Sequence, residues 1–168
     1  MRLILSQPEQ AFAAMAGAMR QVRALQKGLK HRYGEPPHDQ WGGHIEGAGA
    51  ELAVAKAVNR YWAGFYHHDP EKFAGDIGEI EVRWTWRMDG RLIVHDRDKD
   101  ESPFVLVRGS FPEYDVVGWI YGKNAKQSRY LYNGDGRPAY FVPATDLWDM
   151  TTLEGKGGKQ SGKADGTD

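Results

Sequence analysis

The sequence predicts an α/β (α+β) domain, a mixed β-sheet flanked by helices. Two observations carry this. Apolar residues recur at three- and four-residue steps across residues 12–29, and from Asp76 the period changes to two. The element order that follows is helix, helix, several strands, short helix, strand, which sets helices against a sheet.

The first helix opens at "SQPE", residues 6–9, a Ser-x-x-Glu capping box with Pro8 tolerated in the first turn. Phe12, Met15, Met19, Val22, Leu25 and Leu29 then form one apolar face of a helix over about residues 7–32, expected against the core. The other side carries Arg20, Arg23, Lys27 and Lys30, followed by His31 and Arg32. It reads as a solvated face near the helix end that favours positive charge, or as a phosphate-facing patch.

Residues 33–44 are loop by their Gly and Pro content. Ile45 to Gly64 is the second helix, rich in small residues and apolar nearly all round, as in a helix that is buried or packs closely on a sheet. Glu51 lies in its middle, with Val54, Ala55 and Val58 at i+3, i+4 and i+7. A carboxylate on such a stripe is costly unless paired, protonated or bound to a metal. An ion pair to an arginine of the neighbouring sheet is the structural alternative.

From Asp76 onward Ile80, Val82, Trp84 and Trp86 alternate with Glu79, Glu81, Arg83, Thr85 and Arg87, and both tryptophans are expected to face the core. "MDGR", residues 88–91, is an Asp-Gly hairpin turn into "LIVH". "FVLVRG" and "YDVVGWIYG" are further strands, "NAKQSRYL" a short helix, and "AYFVPATDLWDM" a last strand with a turn. One domain over residues 1–154 is expected, with its core at about 41–150. Residues 155–168 hold no large apolar side chain and read as a flexible tail.

With 22 basic and 23 acidic residues among 168, bulk charge makes no case for nucleic acid; only a local basic face could. The absence of cysteine excludes disulfides and thiolate zinc sites and suits a reducing compartment. No apolar run reaches the length of a membrane span, and "MRLILSQPEQ" lacks a signal peptide's apolar core. A soluble, cytoplasmic protein is expected.

Alternation puts Glu81 and Arg83 on one strand face, about 7 Å apart. Asp76 stands at the strand's entry, where a turn through Ile77-Gly78 can bring its carboxylate back towards Glu81. Converging carboxylates form a hard-oxygen site suited to Mg²⁺ or Mn²⁺, and an ion held there can activate a water and stabilise charge on a phosphate. Asp96, Asp98 and Asp100 have EF-hand-like spacing, but the loop lacks its glycine and has Val107 where a Glu is needed, so it reads as solvated. His67, His68 and Asp69 lack a third ligand at a recognisable spacing. "WGGH" and "YGKNAK" fit tight turns, the second with Lys123 and Lys126 placed to touch phosphate.

The ordered set of Glu51 in "GAELAVAK", then Asp76, then Glu81-Val82-Arg83 resembles the PD-(D/E)XK nuclease superfamily. That family places an Asp before a strand carrying Glu-x-Lys, and many members add a Glu from a preceding helix. The resemblance covers roughly residues 41–148 and extends to small phage and bacterial members. It implies a restriction-endonuclease-like fold and Mg²⁺- or Mn²⁺-dependent phosphodiester hydrolysis of DNA. Glu51, Asp76 and Glu81 would be metal ligands and Arg83 would meet the phosphate. Arg20, Arg23, Lys27, Lys30, Lys123 and Lys126 are the candidate DNA contacts. Arg83 stands where the family has lysine; it cannot lose its proton to act as a base, though it can clamp a phosphate. Glu79 is a substitute ligand if the register differs by two. The spacing from Asp76 to Glu81 is also short for a hairpin between them, which puts both on one bent strand, and a catalytically inactive member that binds nucleic acid or protein tolerates both departures. An unrelated scaffold with a buried Glu51–Arg83 pair is the third reading.

Overall fold

The computed structural model describes residues 1–28, 40–64, 75–134 and 138–154, and the fold is α+β with two sheets. In the first sheet the strand order is β1 (Arg2–Ile4), β5 (Glu113–Tyr121), β4 (Pro103–Ser110), β2 (Glu81–Thr85), and only the β2–β4 pair is parallel. The second, antiparallel sheet has the order β3 (Leu92–Val94), β7 (Ala139–Val142), β6 (Leu131–Tyr132). Helix α1 (Gln7–Gln26) packs on α2 (Gln40–Ala57), and α2 packs on the first sheet. Two short helices, α3 (Gly122–Ala125) and α4 (Thr151–Glu154), follow β5 and close the described chain.

β4 lies between two cores. Val105 and Val107 join Ala50, Val54, Ile80 and Tyr114 on the α2 side. Phe104 and Leu106 join Leu92, Val94, Ile120 and Val142 on the side of the second sheet. Both faces being covered, β4 reads as an unbroken apolar run without alternation. Among the described residues no helix is long and apolar enough to cross a membrane.

The capping box forms, with the Ser6 N–H donating to the Glu9 carboxylate at 2.6 Å. The apolar stripe of α1, however, does not face the core. Phe12, Met15, Met19 and Leu25 are exposed, while Ala13, Ala16, Gly17 and Gln21 are buried against α2; Leu29 lies outside the described residues. The cause is a close helix crossing. A Cβ on Gly17 would sit 2.5 Å from the Ile45 Cα and 2.6 Å from the His44 carbonyl oxygen, so no side chain fits at the point of closest approach. Gly17→Ala should therefore lower stability by about 1–3 kcal/mol despite alanine's better helix propensity. An unchanged urea midpoint would contradict the crossing.

Other boundaries differ from expectation. α2 begins at Gln40, so "WGGH" is helical and not a tight turn, and it ends at Ala57, before Asn59 takes a left-handed φ of 50°. β1, unread in the sequence, pairs antiparallel with β5. β2 stops at Thr85, which ends the alternation: Trp84 is half-buried, its indole N–H donating to the Gly109 carbonyl at 2.9 Å, whereas Trp86 is exposed. The Asp-Gly turn forms, with the Gly90 N–H donating to the Arg87 carbonyl at 3.0 Å. It closes no hairpin, because β3 crosses to pair with β7, where Leu92 and Val94 cover Phe104 and Leu106.

Candidate functional site

β2 is an edge strand, and its pairing with β4 decides what each of its faces meets. Val82 and Trp84 align with Val105 and Val107 towards α2; Glu81 and Arg83 align with Phe104 and Leu106 on the opposite face. Just before β2, Ile77 and Ile80 exchange two backbone hydrogen bonds of 3.1 Å, closing a two-residue turn. Gly78 takes φ 64° in that turn, a conformation other side chains rarely adopt. The turn folds Asp76 back onto the strand, where its carboxylate accepts the Val82 N–H at 2.7 Å. The bend expected from the sequence is there, in the form of this tight turn.

Glu51 projects from α2 into the packing between helices. Its two oxygens accept from the two Nη atoms of Arg20 at 2.6 Å each, and Oε2 also accepts the Trp62 indole N–H at 3.0 Å. The partner of Glu51 is thus an arginine of α1, not Arg83. Arg20 belongs to the same small-residue face as Ala13, Ala16 and Gly17, and its side chain is only 15% exposed, so it is not part of a solvated basic face. Burial works against the Arg20 charge, but the hydrogen bonds and charge of Glu51, with help from Asp76, outweigh it and raise its pKa.

Arg83 is held from two sides. Its Nη1 donates to Glu81 at 3.2 Å and its Nη2 to Asp98 at 3.1 Å, with the guanidinium 4.9 Å from the Phe104 ring centre. Burial opposes its charge, and Asp98, then Glu81 and Asp76, more than compensate. Asp98, a residue the sequence assigned to a solvated loop, is itself fixed by accepting the His95 N–H at 3.0 Å. The loop wraps a cation supplied by this chain. The Lys126 ammonium donates to the carbonyls of Asp96 and Asp98 at 2.9 and 2.6 Å and to the Asp100 carboxylate at 2.6 Å. Lys126 is therefore committed to the loop that positions Asp98.

The remaining candidates are dispersed. Lys123 is exposed and pairs with Glu101 at 3.1 Å; Lys27 is exposed and Arg23 half-buried. Glu79 pairs with Arg60 at 2.9 Å. Lys30 and the His67–Asp69 stretch lie outside the described residues.

Asp76 is where the charges couple. Burial pushes its pKa up to about 8; Glu51 and Glu81 push the same way, while the Val82 N–H and Arg83 act against them. Glu51, Asp76, Glu81 and Asp98 face two arginines, Arg20 and Arg83, so full ionisation leaves two negative charges in excess. Among the described residues no three His, Cys, Asp or Glu side chains stand together as a ready metal-holding group. Asp76 and Glu81, at the strand entry, are the pair whose oxygens suit a hard divalent ion. Glu51 touches this pair through its field, its oxygens being taken by Arg20 and Trp62. No family model, curated protein or solved structure matches the chain.

Two pairings were missed in the sequence. The inward facing of Arg20, offered there as a DNA contact, could have been found from the small residues at 13, 16 and 17, which mark a close face at helical spacing, with 20 and 21 continuing it. Asp98 had no local signal, since it meets Arg83 only through the fold.

Proposed function

We propose that this protein is a divalent-cation-dependent enzyme of the PD-(D/E)XK type that hydrolyses phosphodiester bonds in DNA. Asp76 and Glu81 would hold Mg²⁺ or Mn²⁺, and Arg83 would meet the phosphate. The observation that carries this reading is the charge excess around Asp76, a carboxyl that keeps its proton to about pH 8 under the influence of burial and two other carboxylates. Such a cluster disfavours its own ionised form, and an entering cation relieves it. When bound, the ion would supply Lewis-acid activation of water and neutralise charge on the phosphate.

The chain's own residues do the rest. Arg83, fixed between Glu81 and Asp98, offers a permanent positive charge and its remaining N–H groups to a phosphate oxygen. The turn at Ile77–Ile80 and the Val82 N–H orient the Asp76 carboxyl. Glu51 deepens the negative potential at Asp76 while Arg20 holds it in place, a positioning role. A cytoplasmic location accords with the cysteine-free composition.

The same pairs favour a second reading. Arg20 on Glu51 and Arg83 on Glu81 already neutralise part of the cluster, as in a catalytically silent member that binds nucleic acid. Calorimetric titration of Mn²⁺ and Mg²⁺ separates the two. Wild type should bind, an Asp76→Ala, Glu81→Ala double variant should not, and cation-dependent cleavage of DNA should be abolished in the same variant. Wild type that takes up neither ion would sink the enzymatic reading in favour of the silent one.

A further inference from the structure

A groove of about 450 Å³ starts at Arg83 and runs past Trp84 to Arg87, Arg91 and Phe141. A second groove, of about 330 Å³, runs from Arg91 and Phe141 to Arg129 and Tyr132. Because they share Arg91 and Phe141, the two make one path from the β2 edge across the second sheet. Four arginines line the path and one acid does, Asp89, which Arg87 holds through hydrogen bonds of 3.1 and 3.0 Å. Glu81 and Asp98 hold Arg83 and Asp146 stands 3.8 Å from Arg129, so the uncompensated positive charge of the path is concentrated at Arg91.

The groups at the far end of the path are exposed. Arg91, exposed at the junction, makes no hydrogen bond or ion pair among the described residues. Arg129 is exposed, 4.5 Å over the Tyr130 ring and 3.8 Å from Asp146. Tyr132 is also exposed, its ring edge-on to Phe141 at 5.6 Å between centres. That ring is seated over Gly134, where a Cβ would strike it at 2.2 Å.

We infer that this path binds a single polynucleotide strand, with phosphates on Arg87, Arg91 and Arg129 and bases against Phe141 and Tyr132, and leads it to Arg83. Arginines recognise the backbone, and aromatic faces set between them stack on unpaired bases; a duplex keeps its base faces internal and leaves such rings unused. The inference rests on the reading of Asp76, Glu81 and Arg83 as a phosphodiester site, and names the form of its substrate.

The test is fluorescence anisotropy of labelled oligo-dT and of a duplex of equal length, in EDTA, so that failure of cation binding leaves it untouched. Wild type should prefer the single strand. Arg91→Glu with Arg129→Glu should weaken binding at least tenfold and flatten its salt dependence. Tyr132→Ala, at an exposed site, should weaken it about fivefold or more with the salt dependence kept. Circular dichroism of each variant reports whether the fold persists. No binding by wild type, equal affinity for the duplex or for heparin, or folded variants that bind as wild type does would each overturn the inference.

Discussion

Replacing Glu51 with alanine is expected to lower stability by about 3–5 kcal/mol. The loss comes from what is left behind. Arg20 would keep a guanidinium only 15% exposed with its bidentate partner gone, and the Trp62 indole N–H would lose its acceptor. A smaller gain offsets part of this, since removing Glu51 also relieves Asp76. Replacing both partners, Arg20→Met with Glu51→Leu, should recover most of the loss because no unpaired charge stays buried. Urea unfolding of the two single variants and the pair makes the comparison. A Glu51→Ala variant within about 0.5 kcal/mol of wild type would contradict the pair as drawn. With Arg20 beside Glu51, destabilisation is expected whether the site is catalytic or purely structural, so cation binding has to tell a nuclease from a scaffold.

What the sequence showed follows from what is local. The capping box at Ser6–Glu9 and the strands around residues 104–109 and 114–121 are set by neighbours in the chain, and they form where expected. The tight turn that brings Asp76 to Val82 was legible too, because Gly78 lies two residues on. What failed was the inference from hydrophobicity to facing along α1. Met15 and Met19 are more apolar than Ala16 and Gly17, but the crossing with α2 leaves no room for them. β3 forms where expected but its hairpin pairing failed for a related reason: its partner is chosen by which apolar surface needs cover, here Phe104 and Leu106, and not by the turn before it. At the site, residue types were readable and pairings were not. Glu51–Arg20 and Arg83–Asp98 each join segments that only the packed helices and sheets bring together.

Asp76→Asn should raise stability at alkaline pH and leave it nearly unchanged near pH 3.5, with the cation chelated. The folded-state carboxyl titrates at about 8 against an ordinary value of 3.8, so its shift is upward. Between those two values the folded protein holds a proton that the unfolded chain has lost. Stability therefore falls as pH rises through this window, and the contribution of the protonated carboxyl is fully present only below it. The full shift would correspond to about 5–6 kcal/mol; since water reaches this partly buried group, a difference on the order of 2 kcal/mol is expected by pH 8.5. Asparagine keeps the acceptor for the Val82 N–H and removes the charge that faces Glu51 and Glu81. Arg20 and Arg83 stay charged throughout, so the contrast between variant and wild type isolates the one carboxyl. Urea midpoints of both proteins from pH 3.5 to 8.5 measure it. Parallel curves would mean that Asp76 is ionised at neutral pH, and the charge excess that supports a cation site would then lack its clearest signature.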